Sequence, residues 1–179
     1  MDKKVIDWKK EIPRITQPDG TVLYDCDIFG GDCVDFDEIR PLRITGNLSV
    51  GNHFTAKDIY IGGSAFFGDY ADIYYNIIVA KDLFFGDHCY IGDITVSGTI
   101  CAGKDIETGD IDCGGDISFD DYADICDVCS CGNVSFGDNA NTSVVDAYGN
   151  IIFGDNAVTY EVSSAIGTVS FGSNHTFHK

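Results

Sequence analysis

The chain has 179 residues, 11 lysines and arginines against 29 aspartates and glutamates, and a formal net charge of -18. This length favours one domain, and an apolar fraction of 44% is sufficient for a hydrophobic core despite the charge. Nucleic acid is excluded as an expected partner, because its binding normally needs a basic surface. The start, MDKKVIDWKKEIP, lacks the apolar stretch of a secretory signal. We therefore expect a cytoplasmic protein with reduced thiols and no membrane contact.

Residues 1–41 are the first predicted segment, an N-terminal arm that does not follow the repeat found in the rest of the chain. It carries six of the eleven basic residues: Lys3, Lys4, Lys9, Lys10, Arg14 and Arg40. Repeat proteins must cover the open edge of their end units. We expect the arm to cap the first unit with Val5, Ile6, Trp8, Ile12 and the strand-like run Thr21–Tyr24. A basic arm that touches a membrane is the alternative.

Residues 42–179 are predicted to form a repeat domain. They divide into eight units of 17 residues, of which two have one extra residue, and the units begin at Leu42, Ile59, Ile77, Ile94, Ile111, Val128, Val145 and Ser163. The fifth and the tenth positions are each glycine in seven of the eight units. A fixed period of this length is typical of a solenoid.

The spacing within one unit predicts the shape of each coil. Apolar residues fall at positions 1, 3, 7, 9, 13 and 15, which form three apolar-any-apolar pairs. Both members of a pair point inward, because side chains alternate along a strand. The gaps hold glycine, aspartate or asparagine, which favour corners. The fold class is therefore predicted to be all-β, a triangular, single-stranded parallel β-helix of eight coils about 4.8 Å apart.

The inward columns predict the core. Position 9 holds Phe67, Phe85, Phe119, Phe136, Phe153 and Phe171, with Ala102 as an interruption. Burial of each phenylalanine contributes roughly 1.5 to 3 kcal/mol. Cys89 and Cys113 also fall in inward columns, where we expect them to act as small hydrophobic residues.

Outward aromatic residues predict an interaction surface on the second and third coils. Phe66 and Phe84 both occupy position 8, and Tyr60 and Ile78 both occupy position 2. Contiguous exposed apolar surface usually marks an interface. Cover by the arm, contact between copies, and binding of a ligand all remain open for this patch.

No catalytic, cofactor or metal site is predicted. Cys126, Cys129 and Cys131 form C-x-x-C-x-C with Asp112 under Cys129, but residues that alternate along a rigid strand do not converge on one ion. The histidines do not form a set of nucleophile, base and orienting group. A hexapeptide-type acyltransferase is the nearest enzymatic alternative, and it would depend on His53 or His88.

The last unit predicts self-association. The chain reaches Lys179 at or near the end of its eighth coil, so no segment is expected to cap that end. Phe171 and Phe177 lie in this coil. We expect the exposed strands to bind other copies of the chain, because an uncovered strand edge pairs readily.

The repeat from Leu42 to Lys179 resembles the bactofilins, bacterial polymer-forming cytoskeletal proteins. The resemblance rests on runs such as ITVSGTICAG (94–103) and IDCGGDI (111–117). It implies a right-handed, three-sided β-helix that polymerises end to end without nucleotide and serves as a scaffold near the membrane. We therefore expect a non-enzymatic assembly protein whose partner is itself. A binding module that uses Tyr60, Phe66 and Phe84 to contact a ligand or another protein is the alternative.

Overall fold

A computed structural model describes residues 15–36 and 41–178. Within these residues the chain has 23 strands and no helix. Nearly all strands are parallel to their neighbours and stack in coils, so the chain is a β-solenoid, as the repeat predicts. One of its two sheets takes one strand from each of nine coils.

The strands are numbered in chain order. The first twelve are β1 (Ile15–Thr16), β2 (Val22–Tyr24), β3 (Ile28–Phe29), β4 (Leu42–Ile44), β5 (Leu48–Ser49), β6 (Thr55–Ala56), β7 (Ile59–Ile61), β8 (Ala65–Phe67), β9 (Asp72–Val79), β10 (Leu83–Phe85), β11 (Tyr90–Val96) and β12 (Ile100–Ala102). The others are β13 (Glu107–Thr108), β14 (Ile111–Cys113), β15 (Ile117–Phe119), β16 (Asp124–Ser130), β17 (Val134–Phe136), β18 (Asn141–Ala147), β19 (Ile151–Phe153), β20 (Val158–Thr159), β21 (Glu161–Ser164), β22 (Val169–Phe171) and β23 (Thr176–Phe177).

The two sheets enclose one core. The nine-stranded sheet runs from β3 to β22, and the 14-stranded sheet runs from β1 to β23. Equivalent repeat positions lie in register, as in the pairing of Phe119 with Phe136. The rings of Phe136 and Phe153 stack at 4.9 Å, and Cys89 and Cys113 are buried as predicted.

The solenoid begins one coil earlier than the predicted domain boundary at residue 42. Strand β2 pairs in parallel with β4, and β3 pairs in parallel with β5. Equivalent residues in these two coils are 20 positions apart, as in Val22 and Leu42. The period of 17 residues therefore does not extend to this coil. The predicted capping residues Val5, Ile6, Trp8 and Ile12 lie outside the described residues.

The extra residue of the last coil also lies elsewhere than predicted. Val145 pairs with Val162, so Val162 and not Ser163 begins that coil. Ile151 pairs with Val169, which is one position further on. The insertion is therefore accommodated in the corner between β21 and β22, where a loop can lengthen without disturbing the inward columns.

One of the three expected corners is not a break between strands. Strands β9, β11, β16 and β18 each run through the shortest gap of the repeat, from position 14 of one unit to position 3 of the next. In β16 the consecutive residues Cys126 and Asp127 both point outward, while Ile125 and Val128 are buried. This local change in alternation bends the chain within a continuous strand.

The sharp corners explain much of the acidity. In one of them the Asp138 N–H donates to Asp121 Oδ1 of the preceding coil at 3.0 Å. A Cβ on Gly137 would lie 2.5 Å from that oxygen, so glycine is required above the carboxylate. The two non-glycine residues at these repeat positions both lie over a residue other than aspartate or asparagine: Asp120 lies over Lys104, and Lys81 lies over Ser64. Many acidic side chains thus bind backbone of the next coil.

Candidate self-association surface

The terminal coil, residues 162–178, exposes residues at positions that are buried elsewhere. Val169 is 37% exposed, whereas Ile151, its neighbour in the preceding coil, is 0% exposed. Phe177 is 55% exposed, whereas Thr159 beneath it is 0% exposed. Phe171 is half-buried. The repeat therefore directs apolar side chains of the terminal coil inward. No described residue covers them on the side that faces away from the preceding coil.

The backbone of the terminal coil has the same open side. The Ile151 N–H donates forward to Thr168 O at 2.9 Å, and the Asn156 N–H donates forward to Ser173 O at 2.7 Å. The equivalent N–H groups of the terminal coil belong to Val169 and Asn174. The described residues include no further coil that could accept from them, so this end presents donors as well as apolar side chains.

Three rings form the centre of the exposed end. The His175 ring lies 3.8 Å from the Phe171 ring and 4.5 Å from the Phe177 ring, measured between centroids. Phe171 also stacks at 5.3 Å on Phe153 of the preceding coil. Phe171 and Phe177 were predicted as interface residues, and the structure brings them together. His175 was not predicted, although its place at inward position 13 could have identified it.

The opposite end of the solenoid is different. Strand β1 pairs with β2 in antiparallel fashion and lies at the edge of the 14-stranded sheet. The core of the first coil is closed, because Ile28 is 0% and Phe36 is 6% exposed. Phe36 packs against Phe54 of the next coil at 5.7 Å. Inward residues are thus covered at this end and uncovered at the terminal coil.

The predicted aromatic patch is divided between the two sheets. Phe66 and Phe84 lie on β8 and β10 and stack at 4.5 Å with ring planes 3° apart. Each ring covers one face of the other, and Phe66 is 46% exposed. Tyr60 lies on β7 in the other sheet, where Arg43 lies 5.5 Å from its ring centroid. Tyr60 and Ile78 line an open groove of about 330 Å³ beside Arg43.

Another aromatic row follows one sharp corner. His53, Tyr70 and His88 stack at 5.0 Å intervals, and His88 Nδ1 lies 3.2 Å from Asp105 Oδ2. All four residues have positive φ, as does the equivalent residue of every other coil. A left-handed residue is therefore built into each turn at this corner, and the side chain there points away from the core.

The predicted thiol cluster is spread along one strand and its following corner. Cys126, Cys129 and Cys131 are all exposed, and Cys129 pairs in register with Asp112 as predicted. Partial burial, reinforced by nearby carboxylates, raises the pKa of the Cys126 and Cys129 thiols. Within residues 15–36 and 41–178, no three histidine, cysteine, aspartate or glutamate side chains are grouped as a metal site requires.

Comparison of the chain with protein-family models, with curated proteins and with solved structures gives no match. In the part of the chain that the structure describes, no helix is long and apolar enough to cross a membrane.

Proposed function

We propose that the chain is a non-enzymatic assembly protein that self-associates end to end through its terminal coil. One observation carries the proposal: Val169 and Phe177 occupy inward positions and are 37% and 55% exposed, in contrast to 0% for Ile151 and Thr159 beneath them. A second copy stacked on this coil buries those side chains and accepts from the open N–H groups. Both effects favour association.

Charge opposes this association at low ionic strength. Each copy has a formal net charge of -18, so two copies repel over a distance set by salt. The surface at the open end is apolar and aromatic, with Phe171, His175 and Phe177 at its centre. Assembly is therefore expected to strengthen as salt screens the repulsion.

The scaffold role implied by the bactofilin resemblance is part of this proposal. A stacked solenoid needs no nucleotide, because strand pairing and apolar burial supply the contact. The cytoplasmic location expected from the sequence is also part of this proposal. Partners are therefore expected to be further copies of the chain.

The test is light scattering behind a sizing column, across protein and salt concentration, with electron microscopy of the same samples. Phe177→Asp places a charge in the open end and is expected to abolish concentration-dependent growth. Ile152→Asp is the matched control, because Ile152 is 52% exposed but lies on the outer side of β19. Equal assembly of the Phe177→Asp protein would reject the proposal, as would a native protein that remains monomeric throughout.

The stacked pair Phe66 and Phe84 favours a second candidate, a protein-binding module. Phe66 is 46% exposed, and its ring lies in an apolar strip with Phe84. An apolar protein side chain suits this strip, because contiguous exposed apolar surface usually marks an interface between proteins. Phe66→Ser with Phe84→Ser is expected to abolish such binding and to leave assembly intact.

A further inference from the structure

His175 is placed where its protonation can control the proposed assembly. It occupies inward position 13, the column that holds Ala123, Ala140 and Ala157 in the three preceding coils. Its Nε2 lies 3.4 Å from Thr159 Oγ1. Its Nδ1 is buried and has no hydrogen-bond partner among the described residues. A neutral ring tolerates this environment, whereas an imidazolium needs an acceptor at both nitrogens.

The surroundings of the ring offer no such acceptor. The strands packed against it are β19, β20, β22 and β23, and none of them carries an ionisable side chain. The adjoining ionisable groups are engaged or directed outward. Asp155 accepts from the Ser173 N–H, Glu161 is exposed, and Tyr160 stacks with His178 at 5.0 Å.

Stacking of a second copy would remove water from the side of the ring that is still open. Burial already lowers the pKa of His175 in the single chain, and loss of the remaining water disfavours the charged form further. The assembled state then binds fewer protons than the free terminal coil. Because the assembled state binds fewer protons, association must weaken as the pH falls through the pKa of His175 in the free chain.

We propose that His175 is a pH-sensitive gate on end-to-end self-association, open when the ring is neutral and closed when it is protonated. The inference rests on the proposed function. His175 has one pKa in the free chain and a lower one in the assembled chain. At a pH below both, a pKa difference of 1 between the two states weakens association about tenfold. Simple charge repulsion predicts the opposite trend, because acid reduces the net negative charge of each copy.

The experiment measures the association constant by light scattering or sedimentation at about pH 8 and about pH 5.5, at constant salt. The native protein is expected to associate more weakly at the lower pH. In His175→Phe the ring is kept and the titration is removed, so the weakening should disappear. His178→Phe is the matched control on the outside of the same coil, and it should retain the native pH dependence.

Nuclear magnetic resonance titration of the His175 ring provides a readout that does not depend on the variant folding correctly. The pKa of His175 is expected to be lower in concentrated than in dilute protein. An unchanged or higher pKa on assembly would overturn the inference, as would native association that is equally strong at both pH values. Absence of association at about pH 8 would instead reject the proposed function itself.

Discussion

The middle coils and the terminal coil have the same residue pattern and opposite burial. Phe136 and Val134 in a middle coil are 3% and 1% exposed, because coils lie on both sides of them. Their equivalents in the terminal coil, Phe171 and Val169, are half-buried and 37% exposed, because a described coil lies on one side only. In a solenoid, the environment of a residue therefore depends on the next coil as much as on its own. The terminal coil has the sequence of a buried layer, and the described residues include no coil on its outer side.

The largest loss of stability is expected from truncation of a phenylalanine in a middle coil. Phe136→Ala removes a ring packed against Phe119 and Phe153, so it should lower the free energy of unfolding by about 3 to 5 kcal/mol. Phe177→Ala removes a partly hydrated ring and should cost the monomer less than about 1 kcal/mol. Urea unfolding at low protein concentration measures both. Similar losses would show that the two coils do not differ in burial.

A loss of stability of intermediate size is expected from substitution of a corner glycine that lies over an aspartate of the preceding coil. Gly137→Ala would place a Cβ 2.5 Å from Asp121 Oδ1 and 2.7 Å from Asp121 N, so it should lower the free energy of unfolding by about 1 to 3 kcal/mol.

Asp120→Ala is the control at the equivalent position one coil earlier, and it should change stability by about 0.5 kcal/mol or less. The coil below it has Lys104 in place of an aspartate, so no carboxylate lies under the substituted residue. A well-tolerated Gly137→Ala, measured by urea unfolding, would refute the steric account of the corners.

The smallest effect is expected from the surface ion pair of Lys104 and Asp121, which joins two neighbouring middle coils. The Asp138 N–H, and then Lys104 at 3.0 Å, hold the pKa of Asp121 below its usual value. Because this pKa is lowered on folding, its contribution to stability is present above about pH 4 and is lost as pH falls further. Lys104→Met should slightly reduce the urea midpoint at about pH 7 and leave it unchanged at about pH 2.5. A difference that persists in acid would mean that Lys104 acts through packing.

The sequence predicts most of the fold because the period is short and each inward column is chemically uniform. Val134 and Phe136 could be assigned to the core from their columns alone. The first coil was missed because its spacing of 20 residues does not match the period of 17. The start of the last coil was misplaced at Ser163 because alignment on Gly167 hides where the extra residue lies. Insertions in corners do not change the alternation in the strands, so the pattern within a strand cannot locate them.

The candidate surface was predicted in part. Phe171 and Phe177 were identified because they lie in the last unit, and the structure groups them around His175. Tyr60 was grouped with Phe66 because both point outward in the same coil, yet they lie on different sheets. The position of a residue in the repeat predicts whether its side chain points inward or outward. It does not predict the angle between the two sheets, and therefore not which outward side chains lie close together.

Amide hydrogen exchange of native protein at low and high concentration tests end-to-end stacking most directly. The N–H groups of Val169 and Asn174 are expected to exchange rapidly in dilute protein, because their equivalents donate to a following coil and residues 15–36 and 41–178 form none beyond the terminal coil. At high concentration the account predicts slower exchange at these two amides and at their neighbours in the terminal coil, with the middle coils unchanged. Rapid exchange of Val169 and Asn174 at every concentration, or new protection confined to the strands that carry Phe66 and Phe84, would contradict it.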